Sequence, residues 1–144
     1  MQKTKLGISA AFLGALVYIF GLFSGLSLLA VVTAGYILLC EESDWLKRNA
    51  TRAIVLLVVF NLVYFILGLL PNAFGFIADI IRLFDSSAAY EFVNSEFMIA
   101  FGSLTSIFIS MVSFVSEILF ILLAVLALLG KDFKIPLVDS IVIK

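Results

Sequence analysis

The sequence predicts an all-α, polytopic membrane protein with four transmembrane helices, short interfacial helices and both ends in the cytoplasm. Three observations carry this: long uncharged apolar blocks, the glycines and prolines that divide them, and an uneven placement of cations. Apolar residues make up 64% of the 144 and charged residues 13%, against roughly 45–50% and about 25% in a soluble domain. No charge falls from Leu6 to Cys40 or from Ala53 to Ala78, and only Glu117 falls between Phe97 and Gly130. A chain this short makes one domain, and its core cannot cover such stretches. A bilayer accepts them, because a spanning helix needs about 20 mostly apolar residues.

The first block is 35 residues long, which as one helix would measure ~52 Å against a ~30 Å hydrocarbon core. It therefore breaks, and the sequence Gly21-Leu-Phe-Ser-Gly25 supplies the bend, since glycine tolerates the dihedrals of a tight connection. Spans at residues 6–22 and 24–40 follow. The competing reading is a small-residue packing motif within one long tilted helix. A third span, 53–70, closes at Pro71, whose ring ends a helix, and a fourth, 111–129, stops at Gly130. Residues 94–110 become an extension of the fourth span.

Charge placement decides between three spans and four. With four, the inner face holds Lys3, Lys5, Lys47, Arg48, Arg52, Lys131, Lys134 and Lys144, and only Arg82 lies outside. Three spans give at best six inside and three outside, with Lys3 and Lys5 on the wrong side. The positive-inside rule selects four spans in a bacterial-type cell membrane. The basic start Met1-Gln-Lys-Thr-Lys5 resembles a signal peptide, but the apolar run behind it is too long and no A-x-A site closes it.

The connections carry amphipathic patterns. Residues 43–52 read as an interfacial helix capped by Ser43, with Trp45, Leu46, Ala50 and Ala53 on the side facing the headgroups. A solvated charged loop is the simpler alternative. Residues 72–84 read as a second surface helix, placing Phe74, Ile77, Ile80, Ile81 and Phe84 on one face. Asp85-Ser-Ser-Ala-Ala-Tyr90 then becomes an exposed loop.

Polar residues within the spans are the candidate functional groups. Ser103, Ser106, Ser110 and Ser113 repeat at helical spacing toward Glu117. Such a stripe suits a helix–helix seam, worth roughly 0.6 kcal/mol per hydrogen bond, or a polar pore lining. Glu117 is costlier, because a carboxylate at the bilayer centre is unfavourable by ~2.5–3.5 kcal/mol even on the mildest scale. It must be protonated, paired or hydrated. Counting helical rise, Asn61, Tyr64 and Tyr18 lie near its depth, so these four residues are expected to converge into a polar cluster. The cluster is either a proton, cation or ligand site or a neutral architectural contact. Cys40 can accept a lipid, although a lone interfacial cysteine usually serves as a small apolar residue.

With no histidine and one cysteine, histidine catalysis and the common zinc sites are excluded, and no internal disulfide can form. No cofactor loop or nucleic-acid groove is expected. The partners expected are the bilayer and a membrane-protein partner or a second copy of the chain.

Segment 41–53 resembles a motif of small bacterial four-helix membrane proteins of unassigned function. These are related to the twenty-kilodalton subunit of the chloroplast inner-envelope translocon. Their pattern is an acidic residue, a small or Pro residue, an aromatic, a basic residue, His-Ala and then Gln-Ala. Trp45, Lys47, Ala50 and Ala53 match it, while Asn49 replaces the usual His and Arg52 the usual Gln. The tail from Gly130 to Leu137 is similar to the family's closing motif of Gly-Lys, an aromatic and a Pro. The resemblance implies a four-helix membrane domain with a part in protein transport or in an assembly, and the missing His counts against any His-dependent role. Three functions stay open: a non-enzymatic accessory or scaffold subunit, a small transporter or channel using Glu117, and an immunity-type membrane protein.

Overall fold

The computed structural model describes residues 4–131, and among these the fold is all-α, with no strand. Five helices follow in order: α1 (Ala10–Leu22), α2 (Ser27–Cys40), α3 (Asp44–Phe84), α4 (Ser86–Val93) and α5 (Glu96–Leu128). The predicted spans and surface helices are merged and trimmed differently, for local reasons in each case.

The break in the first apolar block is present. Phe23 adopts an extended conformation, and a single 3-10 turn over Ser24–Leu26 leads into α2. The glycines do not act as expected: neither Gly21 nor Gly25 has a positive φ, and Gly21 lies inside α1. The first helix is also shorter than the span predicted for it. Gly7, at φ 79°, follows a turn closed by its amide on the Thr4 carbonyl, and Ser9 caps α1 by accepting from the Phe12 amide at 3.2 Å. Helix α1 thus has 13 residues and α2 has 14. At 1.5 Å per residue these measure ~20 and ~21 Å, short of a ~30 Å core.

Helix α3 runs for 41 residues and absorbs three predicted elements: the helix at 43–52, the span at 53–70 and the helix at 72–84. Pro71 lies inside it rather than at its end. A proline costs one backbone hydrogen bond and crowds the preceding turn, yet the helix continues through it. Likewise, residues 94–110 are not a separate extension, because α5 runs unbroken through them. The predicted loop at 85–90 is helical: the Asp85 carboxylate accepts from the Ser87 and Ala88 amides at 2.8 and 3.2 Å and starts α4. The glycine stop of the last helix is as predicted. Gly130, at φ 67°, donates to the Ala127 carbonyl and Lys131 to that of Leu126, the paired bonds of a left-handed helix cap.

Two compact units make up the chain. One contains the residues up to Val59 and those from Val115 onward, and the other is Phe60–Phe114. In the first, α1 is central. Tyr18, Val17 and Leu13 are buried on it, Ile37 on α2, Leu46 and Ala50 on α3, and Phe120 and Leu123 on α5. In the second, the Phe74 ring meets those of Phe97 and Phe101 edge-on, at centroid distances of 6.3 and 5.1 Å, while Ala78 and Ala89 are buried.

Helices α3 and α5 are each long and apolar enough to cross a membrane. A soluble protein's core helix passes the same length test but is mostly buried. Here only 11% of the most apolar window of α3 and 28% of that of α5 is buried. Leu39, Leu83 and Phe84 are more than four-fifths exposed, at 88%, 83% and 88%. Water does not favour so much apolar surface on one small chain.

Candidate functional site

The start of α3 carries the best-defined polar arrangement among the described residues. Ser43 caps the helix, and its carbonyl accepts the Lys47 amide at 3.0 Å. From there Leu46, Asn49, Ala50, Ala53 and Leu56 follow at helical spacing, all buried. This face was expected to meet lipid headgroups. It packs against α1 instead: a Cβ on Gly14 would stand 3.3 Å from a Leu46 methyl and 3.6 Å from the Trp45 ring. Without a side chain at position 14, the two helices approach closely.

Asn49 and Arg52, the two departures from the family-like motif, are both 5% exposed. Tyr18, itself 1% exposed, donates its hydroxyl to the Asn49 carbonyl at 3.1 Å and lies 3.4 Å from the Asn49 side-chain oxygen. The Asn49 amide nitrogen donates back to the Trp45 carbonyl at 3.2 Å. Tyr18 and Asn49 thus satisfy one another's buried polar groups, as a low-dielectric interior requires. Lys47 is half-buried and Thr51 bonds to its carbonyl at 2.9 Å.

The four residues expected to converge are placed as follows. Tyr18 and Glu117 belong to the first unit, and Asn61 and Tyr64 to the second. Tyr18 faces inward to Asn49, whereas Glu117 and Asn61 are exposed and Tyr64 is half-buried. Asn49 is the partner of Tyr18 that depth counting missed. Its position three residues after Leu46 and one before Ala50 already marked it as inward-facing.

Of the serine stripe, Ser103, Ser106 and Ser110 are exposed and Ser113 is half-buried. The packed face of α5 begins one turn later, at Ser116, and continues through Phe120, Leu123, Ala124 and Ala127. There Phe120 fits over Gly21 and leans on Tyr18, with ring centroids 6.4 Å apart.

A second polar knot ties the residues before α1 to the end of α2. Glu41, 5% exposed, accepts the Lys5 backbone amide at 3.1 Å and the Tyr36 hydroxyl at 3.3 Å. The Lys5 ammonium pairs with Glu42 at 3.2 Å on the surface. This long-range carboxylate contact left no periodic signal in the sequence. The tail motif from Asp132 onward, and Lys3, Lys134 and Lys144, lie outside the described residues.

Comparison with known protein families, characterised proteins and solved structures finds no match.

Proposed function

We propose that the chain is a non-enzymatic, multi-pass integral membrane protein serving as an accessory or scaffold subunit of a membrane assembly, with both ends cytoplasmic. The observation that carries this reading is the apolar surface left uncovered on α3 and α5. In a bilayer that surface faces lipid. Helices α3 and α5 cross, and the short α1–α2 hairpin either crosses twice or enters and returns. Both arrangements add an even number of crossings, so the eight-to-one split of cations holds for either. Two crossings by helices of 13 and 14 residues require local thinning of the bilayer.

A scaffolding role draws support from positions where another helix can come close. A Cβ at Gly68, Gly75 or Gly102 would meet nothing within 4 Å, and small residues are what membrane helices use to associate. The resemblance of segment 41–53 to translocon-related proteins points the same way. The test is affinity purification from detergent-solubilised membranes, comparing the native chain with a Gly68→Leu, Gly102→Leu double variant. A stoichiometric partner recovered with the native chain and lost with the variant supports the role. Recovery of the chain alone in both cases argues against it.

One observation favours a second reading, a small transporter or channel: Glu117 is exposed on the apolar α5. Ion flux into liposomes that is abolished by Glu117→Gln would establish it, and flux equal in the two proteins would remove it.

A further inference from the structure

Lipid covers only part of the exposed apolar surface. Counted from Arg52 at the inner boundary, about 20 residues of α3 cross a ~30 Å core, which reaches Asn72. Leu83 and Phe84 lie ~16–18 Å farther along the same helix, past a headgroup layer of roughly 5–8 Å. Counted outward from Gly130, α5 leaves the core near Ser110, and Phe97 lies ~20 Å beyond. A helix tilt of about 20° takes only ~3 Å off each overshoot. Yet at this outer end the apolar exposure of α3 is greatest, at Leu83 and Phe84, and Tyr90 in α4 is 71% exposed. Single exposed apolar residues are ordinary, but three within the eight residues 83–90, beyond the reach of lipid, mark an interaction surface.

The charges beside these residues have one sign. Asp85, Glu91 and Glu96 are exposed. Arg82, the only cation in residues 60–114, is paired with Asp79 at 3.3 Å. Four acids against one cation leave this unit with a net charge of −3. Apolar and aromatic anchors with a charged rim are the make-up of a protein–protein interface. The same carboxylates oppose docking on an anionic lipid surface. A second copy of the chain does not complement them either, because the cation it would bring to this side is the same paired Arg82.

We propose that the end of the Phe60–Phe114 unit where α3 gives way to α4 docks a basic partner protein on the outer side of the membrane, with Phe84 and Tyr90 as apolar anchors and Glu91 and Glu96 paired with the partner's lysines or arginines. The inference rests on the membrane-scaffold reading proposed above and names the chemistry of its partner and the side on which the two meet. Attraction between opposite charges speeds the encounter and excludes acidic competitors, while the desolvated aromatic anchors hold the complex.

The full chain in phosphatidylcholine nanodiscs is titrated with a fluorescent peptide of alternating arginine and leucine, and with its glutamate–leucine counterpart, empty nanodiscs serving as the blank. The expected result is saturable binding of the arginine peptide alone, weakened by added salt. Glu91→Lys with Glu96→Lys, and separately Phe84→Ser with Tyr90→Ser, should each weaken it roughly tenfold or more. All four side chains but those of the partner are exposed, so the fold tolerates both pairs of changes. No binding, binding equal to that on empty nanodiscs, or binding unchanged in either double variant overturns the proposal. Spin labels at Phe84→Cys and at Val58→Cys, each in a Cys40→Ser background in liposomes, separate the two claims. A water-soluble nickel chelate should reach the label at 84 and not the one at 58. A label at 84 shielded from the chelate and open to oxygen means that the bilayer covers the patch, and overturns the proposal. Chelate access at 84 alone, without peptide binding, refutes only the docking site, whereas access at both positions refutes the membrane reading and the site with it.

Discussion

Replacing Gly21 with alanine sets two energies of opposite sign against each other. Alanine inside a helix is favoured over glycine by about 1 kcal/mol. Against that, the added methyl would lie 2.8 Å from Cε1 of Phe120, 3.3 Å from Cδ1 and 3.4 Å from Cζ. The ring must move, and it has little freedom to do so. Phe120 is 4% exposed and bears on Tyr18, which is itself held by Asn49. Overpacking of this kind costs about 1–3 kcal/mol, and a ring confined on both sides belongs at the upper end. The net expectation is a loss of about 1–2 kcal/mol for Gly21→Ala. Gly75→Ala, on an open face of α3, should gain up to about 1 kcal/mol from propensity alone. The assay is reversible unfolding in detergent, completed as a double-mutant cycle with Phe120→Leu. A smaller side chain at 120 should remove most of the Gly21→Ala penalty, giving a coupling of about 1 kcal/mol or more. If Gly21→Ala is as costly in the Phe120→Leu background as in the native one, the glycine serves the bend and not the close approach.

Three further outcomes follow from local geometry. Tyr18→Phe removes the hydroxyl that donates to the Asn49 carbonyl, and thermal unfolding should register a loss of about 1 kcal/mol; no change would mean that this bond is not formed. Pro71→Ala should leave far-UV helicity unchanged, because α3 is already continuous there, while raising stability by up to about 3 kcal/mol; a gain of several helical residues would show that the native helix breaks at Pro71. The Ser87 hydroxyl, then the Ala88 and Ser87 amides, hold the Asp85 carboxyl below its ordinary pKa. Its cap is therefore fully present at neutral pH and is lost as pH falls through the depressed native value. The protection of the Ser87 amide, its exchange rate relative to that of an unstructured chain at the same pH, should be lost only under acid, and Asp85→Asn should flatten that dependence; an unchanged protection profile would contradict the cap.

The helical class, the break between the first two helices and the glycine stop of the last were all legible in the sequence. Each rests on local chemistry: uncharged runs, an interrupted helix, a residue free to adopt positive φ. The ends of the long helices were not legible, because Pro71 and Asp85 are ambiguous signals. A proline more often ends a helix than lies inside one, yet α3 continues through Pro71, and Asp-Ser-Ser reads equally as a loop or as a cap. The site was legible only as a list of polar residues. Counting depth along separate helices grouped Tyr18 with Glu117, Asn61 and Tyr64 and did not reach Asn49, to which Tyr18 donates in the fold, a contact set by how closely Gly14 lets α3 approach α1. The buried face of 43–52 was seen as periodic but assigned to lipid, since periodicity shows which residues share a face and not what covers it.

The central claim is that lipid surrounds α3 and α5. Spin labels placed one at a time by Val58→Cys, Leu62→Cys and Phe65→Cys in a Cys40→Ser background sample exposed positions on α3, which are 57%, 56% and 64% exposed. In liposomes, all three should show high collision rates with oxygen and low rates with a water-soluble nickel chelate. Chelate access at these sites equal to that of a label in free solution would contradict the account.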